Sequence, residues 1–372
     1  MKTKNIMIST FIYLFLVTLI FLIGCNTKKE IKKIKIGADF TLTGNLAFWS
    51  TELKKGMDFA KEKCDTLNRI EIIYEDNRGK ASNAVAIFKK LVSTNNVNSI
   101  ISCFTPIGQP LRGLAKELKT PLIATVTSAK KFASINDWTF RDFPTQNQQV
   151  TALAKYVYNN LNLRRGSYLV VNDDYGMDGA KLFKKGFNDF GGDFYVGENF
   201  LQTDKNMRNQ ITKVLKQNPE FLLVIGRDQS LALVCRQIRE VNKKVKIVGV
   251  NAFDASIVWK LLGNIGDGII FTSAFVDYNK NIDADNFRKG YIKKFNEEPN
   301  YVSVYGYSIT KYLINIVYMT GPDNAQIKEK LQRLDVDSIR GRLKTNEIRD
   351  VLSPIGIYLR KQDESILITK VE

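Results

Sequence analysis

The chemistry open to this chain is narrowed first by what it lacks: it contains no histidine. Ser-His-Asp and Cys-His nucleophilic sites and histidine-based metal sites are excluded in their usual forms. Four cysteines are present, Cys25, Cys64, Cys103 and Cys235, and none belongs to a Cys-x-x-Cys pair. The three that remain after Cys25 cannot all pair within one chain. Cys103 falls in an apolar strand pattern, and Cys64 and Cys235 fall in helical ones, so buried structural thiols are expected. Gly263-Asn264-Ile265-Gly266-Asp267-Gly268 has the wrong glycine spacing for a dinucleotide loop, and no Gly-Lys-Ser/Thr occurs. Asp277, Asn279, Asn281 and Asp283 hint at a calcium loop. Ile282 stands where that loop needs glycine and Arg288 where it needs glutamate, so a polar turn is expected. With no metal, cofactor or phosphate loop to expect, the remaining chemistry is binding rather than catalysis. Phe104-Thr105-Pro106-Ile107-Gly108 joins an apolar strand to a helix start. Free backbone N–H groups there, with the Thr105 hydroxyl, can hold an anion, although Pro106 removes one N–H. The alternative is that Thr105 only caps the helix.

The N-terminus says where such binding takes place. Lys2 and Lys4 precede an almost unbroken apolar run over residues 6–23, which closes as Leu22-Ile23-Gly24-Cys25. A charged start, an apolar stretch and a small residue at its end read as a secretory signal. A cysteine directly after the small residue resembles the bacterial lipobox, which implies cleavage after residue 24 and thioether lipidation of Cys25. The alternative is a plain membrane anchor, since the run is long enough to span a bilayer. Either way the rest of the chain is expected outside the cytoplasm, tied to a membrane, with residues 25–33 as a charged tether.

Of 372 residues, 44% are hydrophobic and only 8 are proline, which fits a folded chain. The length beyond residue 24 is too great for one ordinary core and predicts two domains. A net charge of +17 could attract nucleic acid, anionic lipid or an anionic ligand. The lysines are scattered over apparent helix faces, with no basic block interleaved with aromatics. A solvated Lys-rich surface is therefore expected, and no nucleic-acid partner.

The elements that must position these residues alternate in steady order. Ile34, Ile36, Ala38 and Phe40 repeat every second residue as a strand, and Leu53, Met57 and Ala60 recur at helical spacing. Strands follow over 70–74, 97–103 and 121–124, with helices over 84–92 and 108–118 between them. The rhythm restarts after Pro144, with helices over 150–158, 179–190, 207–215 and 231–241. Its strands run over 167–171, 194–200, 221–225 and 245–250. From about Phe287 come three helices and then strands over 355–359 and 365–371, too few to form a domain alone, so they must join sheets already begun. This pattern predicts an α/β chain with two parallel sheets covered by helices.

At this point the ordered motifs resemble the type I periplasmic binding proteins, most closely the leucine/isoleucine/valine-binding proteins of ABC transporters. The resemblance runs from Ile34 nearly to the C-terminus. It is carried by Ile36-Gly37-Ala38-Asp39-Phe40-Thr41-Leu42-Thr43-Gly44, Lys55-Gly56-Met57-Asp58-Phe59-Ala60 and Tyr74-Glu75-Asp76-Asn77. Residues 100–110 and Pro121-Leu122-Ile123-Ala124 add to it, as do Phe140-Arg141-Asp142, Asp174-Tyr175-Gly176 and Leu352-Ser353-Pro354-Ile355-Gly356-Ile357-Tyr358. It implies two Rossmann-like lobes joined by three crossings, with ligand in the cleft between them. Lobe 1 would be residues 31–143 with 275–350, and lobe 2 residues 144–274 with 351–372.

Carried over residue by residue, the resemblance implies that Thr105 and Ser128 offer hydroxyls to the ligand carboxylate and that Val126 offers a backbone contact. Trp49 and Tyr175 would cover the ligand. Ser128 could equally be a simple turn residue, and Trp49 a lip residue packing only on protein. Arg227 stands where relatives often have an aromatic. It would pair with a second anionic group on the ligand or be a solvated charge. Asn251 stands where amino-acid binders place a carboxylate for the ligand ammonium, and Asp254 could substitute. Such proteins work as monomers that deliver a small polar ligand, an amino acid or related carboxylate, to an ABC permease and its ATPase. The alternatives are a lipoprotein that signals to a membrane receptor, or a structural surface lipoprotein without a ligand.

Overall fold

The computed structural model describes residues 33–44, 46–128, 132–134 and 137–371. The expected leader over 1–24, the acceptor Cys25 and the tether up to residue 32 lie outside them. Five strands make the first sheet: β1 (Ile34–Phe40), β2 (Ile70–Asp76), β3 (Ser99–Cys103), β4 (Leu122–Thr125) and β5 (Thr139–Arg141). All pair in parallel, in the order β2-β1-β3-β4-β5. β3 and β4 are buried at every residue, as strands covered on both faces must be.

The second sheet takes β6 (Arg165–Val171), β7 (Asp193–Phe194), β8 (Glu198–Phe200), β9 (Phe221–Ile225), β10 (Lys246–Gly249) and β11 (Ile270–Ala274). Three antiparallel strands, β12 (Asp335–Ser338), β13 (Gly341–Thr345) and β14 (Val351–Leu352), form a small third sheet. The late strands β15 (Ile355–Lys361) and β16 (Glu364–Val371) close the chain. β15 pairs antiparallel with β11 and β16 with β15, so both extend the second sheet, in the order β16-β15-β11-β10-β9-β6-β7. After β5 the chain leaves the first sheet for the second; after β11 it leaves the second sheet for helices that pack on the first-sheet side and for the third sheet; after β14 it returns to the second sheet.

Three local expectations change. The helix expected over 108–118 is two short helices, Thr105–Gly108 and Leu111–Glu117, because Pro110 has no N–H to continue the ladder. The strand expected over 194–200 is split into β7 and β8 where Gly197 presses against the Tyr168 carbonyl with no room for a side chain. The third sheet was not anticipated: β12 is mostly solvent-exposed, so its residues carry no apolar alternation to read. The polar turn is as expected, with Asn281 accepting from the N–H groups of Asp283 and Ala284 as a helix cap. Among the described residues there is no acidic or thiol cluster suited to a metal. No described helix is long and apolar enough to cross a membrane. Cys103 and Cys235 are buried and Cys64 half-buried, all as free thiols.

Helix Tyr301–Thr320 packs on helix Ala47–Cys64 with backbones in close approach. A methyl on Gly56 would overlap the Ser303 carbonyl, and one on Gly306 the Leu53 carbonyl. This pairing binds the late helices to the first-sheet side and brings the start of the later helix beside Trp49.

Candidate ligand-binding site

In open α/β sheets ligands bind beyond the carboxyl ends of the strands, where the strand order reverses. Three bulky residues just past such ends hold left-handed backbone angles: Phe104 after β3 (φ 71°), Val126 after β4 (φ 50°) and Asp228 after β9 (φ 47°). Several of the other non-glycine cases are turn asparagines, which tolerate this region. For a β-branched residue such as Val126 it is an outlier. Strain of this kind costs on the order of 1–3 kcal/mol and persists where the surroundings demand it, most often at binding sites.

On the first-sheet side, Trp49 is buried, edge-on to Phe48 at 5.2 Å and 5.8 Å from the ring of Tyr301. Its neighbour Ser50 pins this helix start to two strand ends. Ser50 Oγ accepts from Thr41 N (3.2 Å) and lies 3.4 Å from Cys103 Sγ. Thr105 opens helix Thr105–Gly108, whose cap position is Phe104 and which has no side-chain cap. The Ile107 and Gly108 N–H groups both go to the Phe104 carbonyl, at 3.2 and 2.9 Å. With Pro106 lacking an N–H, the open helix start expected from the sequence shrinks to the Thr105 N–H and hydroxyl, which have no partner among the described residues. Val126 and Ser128 are half-buried just past β4. Thr127 between them is buried and donates back to the Thr125 carbonyl at 3.0 Å.

On the second-sheet side, Tyr175 lies in the first turn of helix Asp174–Asp189, capped by Asp173 through Gly176 N at 3.0 Å. The glycine after the tyrosine is required, because a Cβ there would overlap the Val171 carbonyl. The Arg227 guanidinium lies 4.4 Å over the Tyr175 ring and 2.6 Å from Asp173 Oδ2. One guanidinium nitrogen is thus engaged in a partly exposed ion pair while the cation rests over the aromatic ring. Burial pushes the Tyr175 phenol up to about 12, with Arg227 working against that shift.

Asn251 opens the 3-10 turn Asn251–Asp254, is buried, and has an Oδ1 without a partner among the described residues. Asp254 Oδ2 accepts from Ser273 Oγ at 2.6 Å and from the Tyr301 N–H at 3.2 Å. Burial pushes its carboxyl up to about 7, against these bonds and the more distant Arg360. The acid offered by the sequence as a stand-in for an ammonium partner thus already serves a helix N-terminus.

Tyr301 is the residue that sequence reasoning missed. Its ring contacts Trp49 and, at 6.1 Å, Phe143. Its N–H reaches Asp254, and the Asn251 side chain lies near its phenol. Tyr175 and Asp228 are close enough to act on its charge. Trp49 thus meets the Tyr301 ring and Asp254 its backbone N–H, with Asn251 and Tyr175 close by. Thr105, Val126 and Ser128 stay at the neighbouring ends of β3 and β4. The Asn300 cap before an apolar run marked a helix start in the sequence, but nothing local showed what that start would face.

The sequence profile of the family described as periplasmic binding protein matches residues 33–350. The chain belongs to this family. A curated relative, Leu/Ile/Val-binding protein homolog 3 of Brucella melitensis, is 22% identical over 248 residues, covering 65% of this chain and 67% of that one. Among solved structures, the leucine-binding protein LivK of Thermotoga maritima superposes with TM-score 0.79 at 20% identity, over 91% of this chain and 98% of that one. LivJ of Streptococcus pneumoniae, in complex with isoleucine, gives 0.81 at 19%, over 91% and 100%. A solute-binding protein of an ABC transporter from Rhodopseudomonas palustris, in complex with 3,4-dihydroxybenzoic acid, gives 0.78 at 19%, over 91% and 97%. At these identities the likeness to the solved structures speaks for the fold: two α/β lobes with a cleft between them.

Proposed function

We propose that this chain is a lipid-anchored, extracytoplasmic solute-binding protein, not an enzyme. It closes its lobes on a small carboxylate and presents it to an ABC permease. The observation that carries the reading is Tyr301, whose ring packs on Trp49 and whose N–H is held by Asp254, with Asn251 beside it. A ligand between such walls gains contacts from both lobes only when they are closed, which is what shifts the population toward the closed form. The unpartnered Thr105 hydroxyl and N–H, with Ser128, supply donors for the carboxylate.

The second-lobe wall narrows the ligand further. Asn251 is an amide, and Asp254 is committed to Ser273 and Tyr301. A buried ammonium there would lack a charge partner, which is costly. A carboxylic acid without an amino group suits this wall better than an α-amino acid. Relatives with both kinds of name support the wider class: one is a Leu/Ile/Val-binding homolog, and another was solved with 3,4-dihydroxybenzoic acid.

The test is a thermal-shift panel of L-leucine, L-isoleucine and L-valine beside their deaminated acids and benzoate, backed by native mass spectrometry of the purified protein. Stabilisation by the acids supports the reading. Stabilisation by the amino acids that survives Asp254→Asn overturns its account of the second wall, and no stabilisation by any compound overturns ligand binding. For the anchor, Cys25→Ser is expected to leave an unprocessed, unlipidated precursor. Normal processing and lipid labelling of that variant would refute the lipobox reading.

A further inference from the structure

Asp39, one residue before the end of β1, is fully buried at the point where the strand order of the first sheet reverses. A carboxylate in such a place ordinarily has a cation beside it. Here its partners are neutral: Asn77 Nδ2 donates at 2.9 Å and Ser102 Oγ at 3.3 Å. The charged groups on the elements packed around it are engaged elsewhere. Glu75, its register partner on β2, pairs with Lys90 of the covering helix at 2.7 Å. Asp76, at the end of β2, accepts from Leu42 N and Thr43 Oγ1. Glu52, on helix Ala47–Cys64, pairs with Lys55 at 2.6 Å. The Cys103 thiol on β3 is pushed by burial up to about 12 and stays neutral.

The two neutral partners lead to the two loops on this side of the cleft. Asn77 Oδ1 accepts from Thr41 Oγ1 at 2.7 Å and from Gly79 N at 2.9 Å, and Thr41 N donates in turn to Ser50 Oγ. Ser102 lies two residues before the strained Phe104 and three before Thr105. We propose that Asp39 is a positioning residue for the cleft: its protonated carboxyl holds the 41–44 loop, which leads to Trp49, and the Phe104-Thr105 turn in register with each other, and ionisation loosens them. The proposal rests on the ligand-binding reading above. As a carboxylate, Asp39 accepts from both donors but is a buried charge with no cation beside it, which costs more than the two bonds return. As a carboxylic acid it accepts from Asn77 Nδ2 on one oxygen and donates its own O–H to Ser102 Oγ from the other, so both contacts are kept. Burial pushes this carboxyl up to about 6, so the exchange falls near the pH of ordinary surroundings.

Hydrogen–deuterium exchange of the purified protein, corrected for intrinsic rates, tests this between about pH 5 and pH 8. Protection of residues 40–50 and 102–108 is expected to fall by about threefold or more as the pH rises through the titration, while helix Asp228–Val241 stays level. Asp39→Asn is expected to flatten the profile. Ser102→Ala removes a donor that favours the charged form, so it is expected to shift the midpoint to higher pH, and it serves if Asp39→Asn does not fold. A flat wild-type profile, or a midpoint unmoved by Ser102→Ala, overturns the proposal. The thermal-shift panel separates the two readings. Binding without the loop response sinks the role of Asp39 alone, and a loop response without binding of any compound sinks the ligand reading alone.

Discussion

At the scale of single residues, the informative atoms are those the fold leaves unused and those it buries at a cost. The Thr105 hydroxyl has no partner among the described residues, so Thr105→Ala is expected to weaken ligand binding by about 1–2 kcal/mol, the scale of a hydrogen bond to a charged group. Its melting temperature should stay unchanged. Calorimetry giving equal affinity and a lower melting temperature would make the residue structural after all. Asp254 carries the opposite lesson. Its folded carboxyl titrates near 7 and its ordinary value is 3.8. Between those values the folded chain holds a proton that the unfolded chain has lost, so stability from this group falls as pH rises through that window and levels off above it. Asp254→Asn keeps an acceptor for the Tyr301 N–H and is expected to reduce the loss of melting temperature between pH 5 and pH 7.5. An identical pH dependence in the variant would show that the group is not buried as described.

At the scale of elements, the pairing of helix Ala47–Cys64 with helix Tyr301–Thr320 does most to place the site. The two glycines let the helix axes approach until side chains at either position no longer fit. Gly56→Ala and Gly306→Ala are each expected to destabilise by about 1–3 kcal/mol or more, because the obstacle is backbone and cannot swing aside. Ligand affinity should fall as well, since separating the helices moves Tyr301 away from Trp49. Urea unfolding with binding on the same samples checks both effects; lost stability with full affinity would detach the helix pairing from the site.

At the scale of the whole molecule, the crossings are tied together by buried charge. Arg340 meets both carboxylate oxygens of Asp142 at 2.9 and 2.7 Å, lies 4.0 Å over the Tyr305 ring and approaches Ser353 Oγ at 3.5 Å. Arg141 pairs with Asp350, joining the first crossing to the approach to the third. Arg340→Met leaves Asp142 buried without its cation and is expected to cost about 3–5 kcal/mol in urea unfolding. Arg340→Met with Asp142→Leu should recover much of that loss, because the expense lies in the stranded charge. A double variant no more stable than the single one would show that the pair holds geometry beyond neutralising charge.

Much of this was legible without coordinates. Apolar residues recurring every second or every three to four positions report which face of a segment is buried, and that is a local property. The sequence by itself therefore determined the α/β alternation, the two sheets, the recruitment of the last strands into an earlier sheet, and the strand ends where Thr105 and Val126 stand. Tertiary structure alone decided the partners. Arg227 meets Asp173 across 54 residues, Asp254 meets the Tyr301 N–H across 47, and Asp39 meets Ser102 across 63. Polar atoms carry no periodic signature. Which donor reaches which acceptor follows from strand order and helix packing, which exist only once the chain has folded.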